Sequence, residues 1–370
     1  FRDGKPVVYD SGDYPRCQSE ALQKIGYSQF KDRQKSARQE GRYIGIGIGN
    51  YVEGTGLGPF EGATVRVGPS GKIFLMTGAA PQGQGHQTTM AQICAEKFGV
   101  DIADIEVHLA DTTKIAHGVG TFASRIAANA GPSVHLAAQD VRDKAIKIAA
   151  FLLEAAEEDI ELEDGKAFVR GVPEINKTLG EISHAVAGSP GFAMPPGFEP
   201  GLEATHYFSP EQSAYCNGTH IAEVEVDIET GNVEILRYVI AHDSGNLINP
   251  MIVDGQVQGG LAHGIGNALF EEQHFDSDAN PLTTNFAEYL IPGAGEVVDA
   301  ETIHIESPSP LNPLGVKGAG EGGTIPAAAS IIAAVENALQ PFKANFMNVP
   351  LTPASVIQVV EASRKLKAEI

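Results

Sequence analysis

Gly315-Val316-Lys317-Gly318-Ala319-Gly320-Glu321-Gly322-Gly323 places one carboxylate in a run that is otherwise mostly glycine. Without a Cβ, such a segment lets backbone N–H groups come close to a ligand. The residues after it, 324–339 (TIPAAASIIAAVENAL), read as an apolar helix with Pro326 in its first turn. A glycine loop feeding a helix N-terminus is a natural seat for an anion. Glu321 is the odd member, because a carboxylate beside a phosphate is repelled. It faces either solvent or a reaction.

Three more glycine-rich segments, 78–86, 117–125 and 254–264, are expected at strand-to-helix junctions, and each carries hydrogen-bonding side chains. The first has Gln82, Gln84 and His86, the second Thr121, Ser124 and Arg125, the third Gln256 and Gln258. Singly each is a weak signal, and Gly83-Gln84-Gly85 matches neither the dinucleotide fingerprint nor the P-loop. Together they describe a large polar ligand gripped by several loops. Amide side chains read the edges of flat heterocycles, and a helix N-terminus with Arg125 suits a pyrophosphate. That chemistry fits a pterin nucleotide at least as well as NAD. The histidines show no HExxH spacing, no G-x-S-x-G elbow surrounds a serine, and Asp243 reads as a turn former.

Composition bounds these readings. At 370 residues, 42% hydrophobic and 20% charged, the chain is long enough for two or three domains with cores. A net charge of −21, from 47 acidic and 26 basic residues, argues against a general nucleic-acid or anionic-membrane binder. No apolar run reaches transmembrane length. Cys17, Cys94 and Cys216 lie far apart, with no metal or disulfide spacing, so a cytoplasmic protein is expected that holds no iron–sulfur cluster by itself.

The polar stretch 1–41, dense in Lys, Gln and Arg, is expected to lie on a partner chain. Glycine-laced 42–47 reads as a strand, and 63–77 as a hairpin about Pro69-Ser70-Gly71. A helix closed by Gly99, a strand near 105–110 and a long helix over 131–158 follow. Thr178-Leu179-Gly180-Glu181 resembles a capping box, and 219–241 is a second hairpin about Glu229-Thr230-Gly231. The Pro/Gly-rich stretch 188–201 is the candidate boundary between subdomains at 42–190 and 191–370. Residues 250–271 and 352–367 read as further helices. Hairpins followed by helices, twice over, predict an α+β fold of two α+β subdomains.

With these residues laid out, the chain resembles the C-terminal half of the molybdenum-binding large subunit of the xanthine dehydrogenase, aldehyde oxidase and carbon monoxide dehydrogenase family. The resemblance spans nearly the whole chain. It rests on Tyr9-Asp10-Ser11-Gly12-Asp13-Tyr14, Gln82-Gly83-Gln84-Gly85-His86 and Gly120-Thr121-Phe122-Ala123-Ser124-Arg125. Asp254-Gly255-Gln256-Val257-Gln258-Gly259-Gly260 and Gly315–Glu321 complete it.

The resemblance implies that molybdopterin, as its cytosine dinucleotide, is clamped by Gln82, Gly83, Gln84, Gly85, His86, Thr121, Ser124, Arg125, Gln256, Gln258, Gly259, Lys317, Gly318 and Gly320. Molybdenum is then held by the pterin, with no protein ligand. Glu321 is implied as the general base for attack of water-derived oxygen on an electrophilic carbon. Family large subunits are about twice this length, so the resemblance also implies an N-terminal half on a separate chain. A [2Fe–2S] subunit, an FAD subunit and a dimer of such heteromers complete the implied assembly. The implied substrate is a small molecule, an aromatic N-heterocycle ahead of an aldehyde or CO. A non-catalytic cofactor-holding subunit is the rival reading.

Overall fold

The structure, a computed structural model, describes residues 4, 6–188, 190 and 194–368. Part of the expected boundary stretch 188–201 lies outside the described residues.

Two helices, α1 (Tyr14–Ile25) and α2 (Tyr27–Gln39), open the chain. Each of them turns a buried face onto this same chain. Cys17, Ala21 and Ile25, spaced four apart, form a buried stripe, and Phe30 and Ala37 form another, both against strands of this same chain. Small residues among lysines and arginines disguised that stripe.

Next comes β1 (Tyr43–Thr55), whose register alternates isoleucine with glycine. Ile44 and Ile46 pack under α1 and α2. Gly45 and Gly47 face the other way, where a Cβ would stand 2.0 Å from the carbonyls of Ala334 and Ser330 respectively. The glycines thus let a helix lie directly on the strand backbone. Gly47→Ala is therefore expected to destabilise the protein by about 1–3 kcal/mol, as overpacking does. Gly255→Ala, whose Cβ would meet nothing within 4 Å in a helix, is expected to raise stability slightly. Thermal melts of the two variants check the contrast.

The first hairpin forms as β2 (Glu61–Val67) and β3 (Ile73–Thr77), with Ala63 opposite Thr77. Helix α3 (His86–Phe98) ends on Gly99 in the left-handed conformation, and β4 (Ile105–Leu109) runs parallel to β3. The long helix α4 (Ile126–Leu153) starts about one turn earlier than expected, and Val134, Ala138, Val141, Ala145 and Ile148 are all fully buried. A small sheet of β5 (Ile160–Glu163), β6 (Lys166–Val169) and β7 (Val172–Thr178) precedes α5 (Leu179–Ala185), which has the expected capping box.

Then β8 (Leu202–Phe208) pairs antiparallel with β2, giving the sheet order β4-β3-β2-β8. The second hairpin is β9 (Ala214–Val226) and β10 (Val233–Asp243); β9 pairs with β1 along its full length. With α6 (Pro250–Leu269) between them, β10 pairs parallel with β11 (Glu301–His304), closing the order β1-β9-β10-β11. Helices α7 (Ala327–Ala338) and α8 (Pro353–Ala368) end the chain.

The fold is α+β, but sheet membership crosses the division expected at 190/191. Strand β1 belongs to the later sheet and β8 to the earlier one. The β1 backbone, bared by glycine, accepts α7 at contact distance, and no local pattern shows which sheet a strand joins. One core lies around α3, α4 and the β2 sheet. A second lies between β9, β10 and helices α6, α7 and α8.

Candidate active site

The four expected segments converge, though one is misread. Segments 78–86, 117–125 and 315–323 are loops, each preceding a helix (α3, α4 and α7). Segment 254–264 lies inside α6 instead. Its glycines serve helix packing: a Cβ at Gly264 would sit 2.3 Å from Ala327 Cβ, and one at Gly260 2.7 Å from Gly323 Cα. Close approach of α6 seats the loop that carries Glu321.

A cavity of about 470 Å³ opens where the segments meet, a volume suited to a small ligand or part of a larger one. Gln82, Gln84, His86, Thr121, Ser124, Arg125, Gln256, Lys317, Gly318, Gly320 and Glu321 line it. Gly83 and Gly85 sit in the turn beside it; Gly85 (φ 77°) packs on α6, where a Cβ would lie 2.8 Å from Ile252 Cδ1. Gln258 is turned away, because two residues along a helix is about 200° of rotation from Gln256. Its amide is taken up by the Val298 carbonyl (2.7 Å) and the Ala300 N–H (2.9 Å). Gly259 is exposed outside the cavity lining.

Two other expected roles change. Arg125 is buried, and its guanidinium donates to Glu61 Oε2 (2.6 Å) and to the carbonyls of Leu57, Gly120 and Phe60. It is spent inside the protein, not held out for a pyrophosphate. Lys317 likewise turns its ammonium inward, 3.3 Å from Asp243 Oδ1, both side chains fully buried. Asp243 is thus an ion-pair partner and more than a turn former, although its Oδ1 also accepts from Gly245 N (2.9 Å).

Sequence reasoning missed Glu61. Its carboxylate accepts the N–H groups of Val119 and Gly120 as well as Arg125, and so pins the 117–125 loop to β2. The signal was present: Glu61 is in phase with buried Ala63, Val65 and Val67 on one face of a strand. A carboxylate on an apolar face demands a partner.

Glu321 stands exposed at the cavity rim. Ser124 Oγ donates to Glu321 Oε2 (2.9 Å) and accepts from Glu321 N (3.0 Å). Ser124 is held at positive φ (48°), and its carbonyl crosses Gly318 so closely that a Cβ there would stand 1.8 Å away. Beneath the loop lie Tyr51 and two buried histidines, with Tyr51 Oη 2.5 Å from His242 Nδ1.

Burial lowers His220 to about 3 and His242 to about 4, so both are neutral in the folded state. Unfolded, they take up protons near pH 6.5. The unfolded state therefore binds more protons between about pH 6.5 and 4, and stability falls as pH drops through that window. Thermal melts should show Tm falling over it; a flat Tm would contradict neutral burial.

The residues present fit a bound anionic heterocycle. Helices α3 and α4 both begin at the cavity with no side-chain cap, leaving first-turn N–H groups for a ligand. Ser244 Oγ and His86 Nδ1 are buried without a hydrogen-bond partner, and both residues line the cavity. Burial lowers His86 to about 4, so its ring meets a ligand as a neutral group. A Cβ at Gly83 would meet nothing within 4 Å, so the backbone there is open to a ligand; Gly120 is equally uncrowded, but its N–H and carbonyl are already paired with Glu61 and Arg125.

Comparison with known proteins agrees with this chemistry. Residues 20–298 match the family model described as a molybdopterin cofactor-binding domain. The nicotine 6-hydroxylase large subunit of Paenarthrobacter nicotinovorans is 38% identical over 96% of this chain and 45% of its own length. The carbon monoxide dehydrogenase large chain of Afipia carboxidovorans is 35% identical over 92% of this chain and 44% of its own. Quinoline 2-oxidoreductase from Pseudomonas putida 86 superposes with a TM-score of 0.88 at 37% identity, covering 98% of this chain and 47% of that one. The chain therefore spans less than half the length of the relatives it matches.

Proposed function

Because the chain belongs to the molybdopterin cofactor-binding family of the xanthine dehydrogenase, aldehyde oxidase and carbon monoxide dehydrogenase large subunits, we propose that it is the cofactor-holding and base-bearing part of a molybdenum hydroxylase. The observation that carries the reading is the meeting of the 78–86, 117–125 and 315–323 loops at one cavity with Glu321 on its rim. Bound there, a molybdenum pterin supplies a two-electron acceptor and activates water-derived oxygen.

The chain's own residues do the rest. Gln82 and Gln256 bring amide groups to the heterocycle, while the Gln84 amide, held by the Gln82 N–H and the Ala80 carbonyl, shapes the loop around it. The open N-termini of α3 and α4 face its anionic part, in the place first given to Arg125. Glu321, aimed by Ser124, accepts the proton released as oxygen attacks the substrate carbon. We take the cofactor to be the cytosine dinucleotide form and the substrate to be an aromatic N-heterocycle. The relatives named for nicotine and quinoline, at 38% and 37% identity, support that class. Oxidation of CO or an aldehyde is the second reading, favoured by the carbon monoxide dehydrogenase relatives.

The remaining share of such a large subunit completes the substrate pocket in this proposal, and [2Fe–2S] and FAD subunits carry electrons away. Metal and pterin analysis of the purified native complex, with its co-purifying chains identified, tests it. Stoichiometric molybdenum and pterin are expected. An active complex containing neither would overturn the reading.

A further inference from the structure

Strand β1 lies at the edge of its sheet, paired with β9 on one side only. In an antiparallel pair every second residue turns both its N–H and its C=O away from the partner strand. Ile44 and Ile46 are two such residues, and this chain closes them itself. Gln34 Nε2 of α2 donates to the Ile44 carbonyl (2.9 Å), and the Ile46 N–H donates to Asn337 Oδ1 of α7 (3.1 Å). The register with β9 runs unbroken from Tyr43 to Thr55, so Ile48, Asn50, Val52 and Gly54 turn outward too. Their outward backbone groups have no hydrogen-bond partner among the described residues.

Such an edge is a template for another strand, and proteins that leave one free protect it with lysine, proline, a bulge or short length. Residues 48–54 (IGNYVEG) have no lysine, no proline and no bulge, and Asn50 and Val52 are exposed. They run for about 23 Å as extended backbone, room for a strand of ordinary length. The fold thus closes the first part of this edge and leaves the second part ready to pair.

The far end of the edge indicates which partner belongs on it. Thr55 Oγ1 accepts the Gly318 N–H (3.0 Å), so β1 runs directly to the loop that carries Glu321. The relatives named above hold more than half of their length outside the part this chain matches. A strand laid along 48–54 would bring that remaining share to the cavity it has to complete. We infer that the free edge of β1 over residues 48–54 receives an extended segment of the remaining share of the large subunit, paired backbone to backbone. The inference rests on the family reading above, under which that share exists. The segment is expected to set apolar side chains beside Ile48 and Val52, which lie on one face of β1.

Hydrogen exchange in the purified native complex reads the outward amides without depending on turnover. Those of Ile48, Asn50, Val52 and Gly54 should exchange about tenfold or more slower than free amides, the factor of one net backbone hydrogen bond. A photo-crosslinker in place of Asn50 should capture a peptide of the remaining large-subunit share. Val52→Pro removes one outward N–H and spares the β1–β9 ladder. It should speed exchange at Asn50 and Gly54 by about the same factor, while Tyr51 and Glu53, which face β9, stay slow; Val52→Thr should change neither. Fast outward amides in the wild type, or crosslinks only to a second copy of this chain or to another subunit, would overturn the inference. If the Val52→Pro complex does not assemble, wild-type exchange and the crosslink still decide. A complex that holds molybdenum and pterin yet has fast outward amides would overturn the docking strand and leave the proposed function standing.

Discussion

Replacing Glu321 by glutamine is expected to leave pterin and molybdenum bound while lowering kcat by about 10²–10⁴-fold, the usual contribution of a positioned general base. Glutamine keeps the shape and can still accept from Ser124 Oγ through its carbonyl oxygen, so the loop geometry survives. What it loses is the ability to take a proton. Loss of kcat with cofactor content intact marks a base. Loss of cofactor together with kcat marks a scaffold, which is what a non-catalytic cofactor-holding subunit would show. Steady-state kinetics and metal analysis on the same preparation separate the two.

The second large effect is expected at Glu61, which does not itself line the cavity. Glu61 and Arg125 form an ion pair with both side chains fully buried. Removing one member of such a pair strands the other, at a cost of about 3–5 kcal/mol. Glu61→Ala is therefore expected to lower Tm sharply and release the N–H groups of Val119 and Gly120 from their anchor. Because Thr121 Oγ1 bonds to the Ala80 carbonyl (2.7 Å), the 78–86 loop loosens with it and pterin content falls. Replacing both members by apolar residues of similar volume should recover part of the stability, since neither charge is then stranded. Denaturation curves for the single and double variants check this.

How much of this was readable beforehand follows from which forces are local. Hairpins at 63–77 and 219–241, the α5 capping box and the Gly99 stop were legible, because turn chemistry and alternation act within a few residues. Glu321 stood out as a lone carboxylate among glycines, but the residues alone left it facing either solvent or a reaction, and the resemblance is what made it the candidate base. Three kinds of fact were hidden. The Ile–Gly alternation of β1 reads as a weak strand until α7 is seen lying on its glycine face. The direction of a long side chain is not in the sequence: Arg125 and Lys317 line the cavity, yet their charges end on Glu61 and Asp243. The third glycine segment was taken for a loop because glycine signals both flexibility and close packing, and in α6 it means packing.

The account stands on the claim that these loops converge on a pterin with Glu321 aimed at its metal. Diffraction from the cofactor-loaded complex, with the metal located by its own anomalous signal, measures that directly. The account predicts the metal at the cavity rim, with the Glu321 carboxylate within hydrogen-bond reach, about 2.6–3.2 Å, of the reacting group there. Metal found outside the cavity, or on the side of the loop away from Glu321, would contradict it.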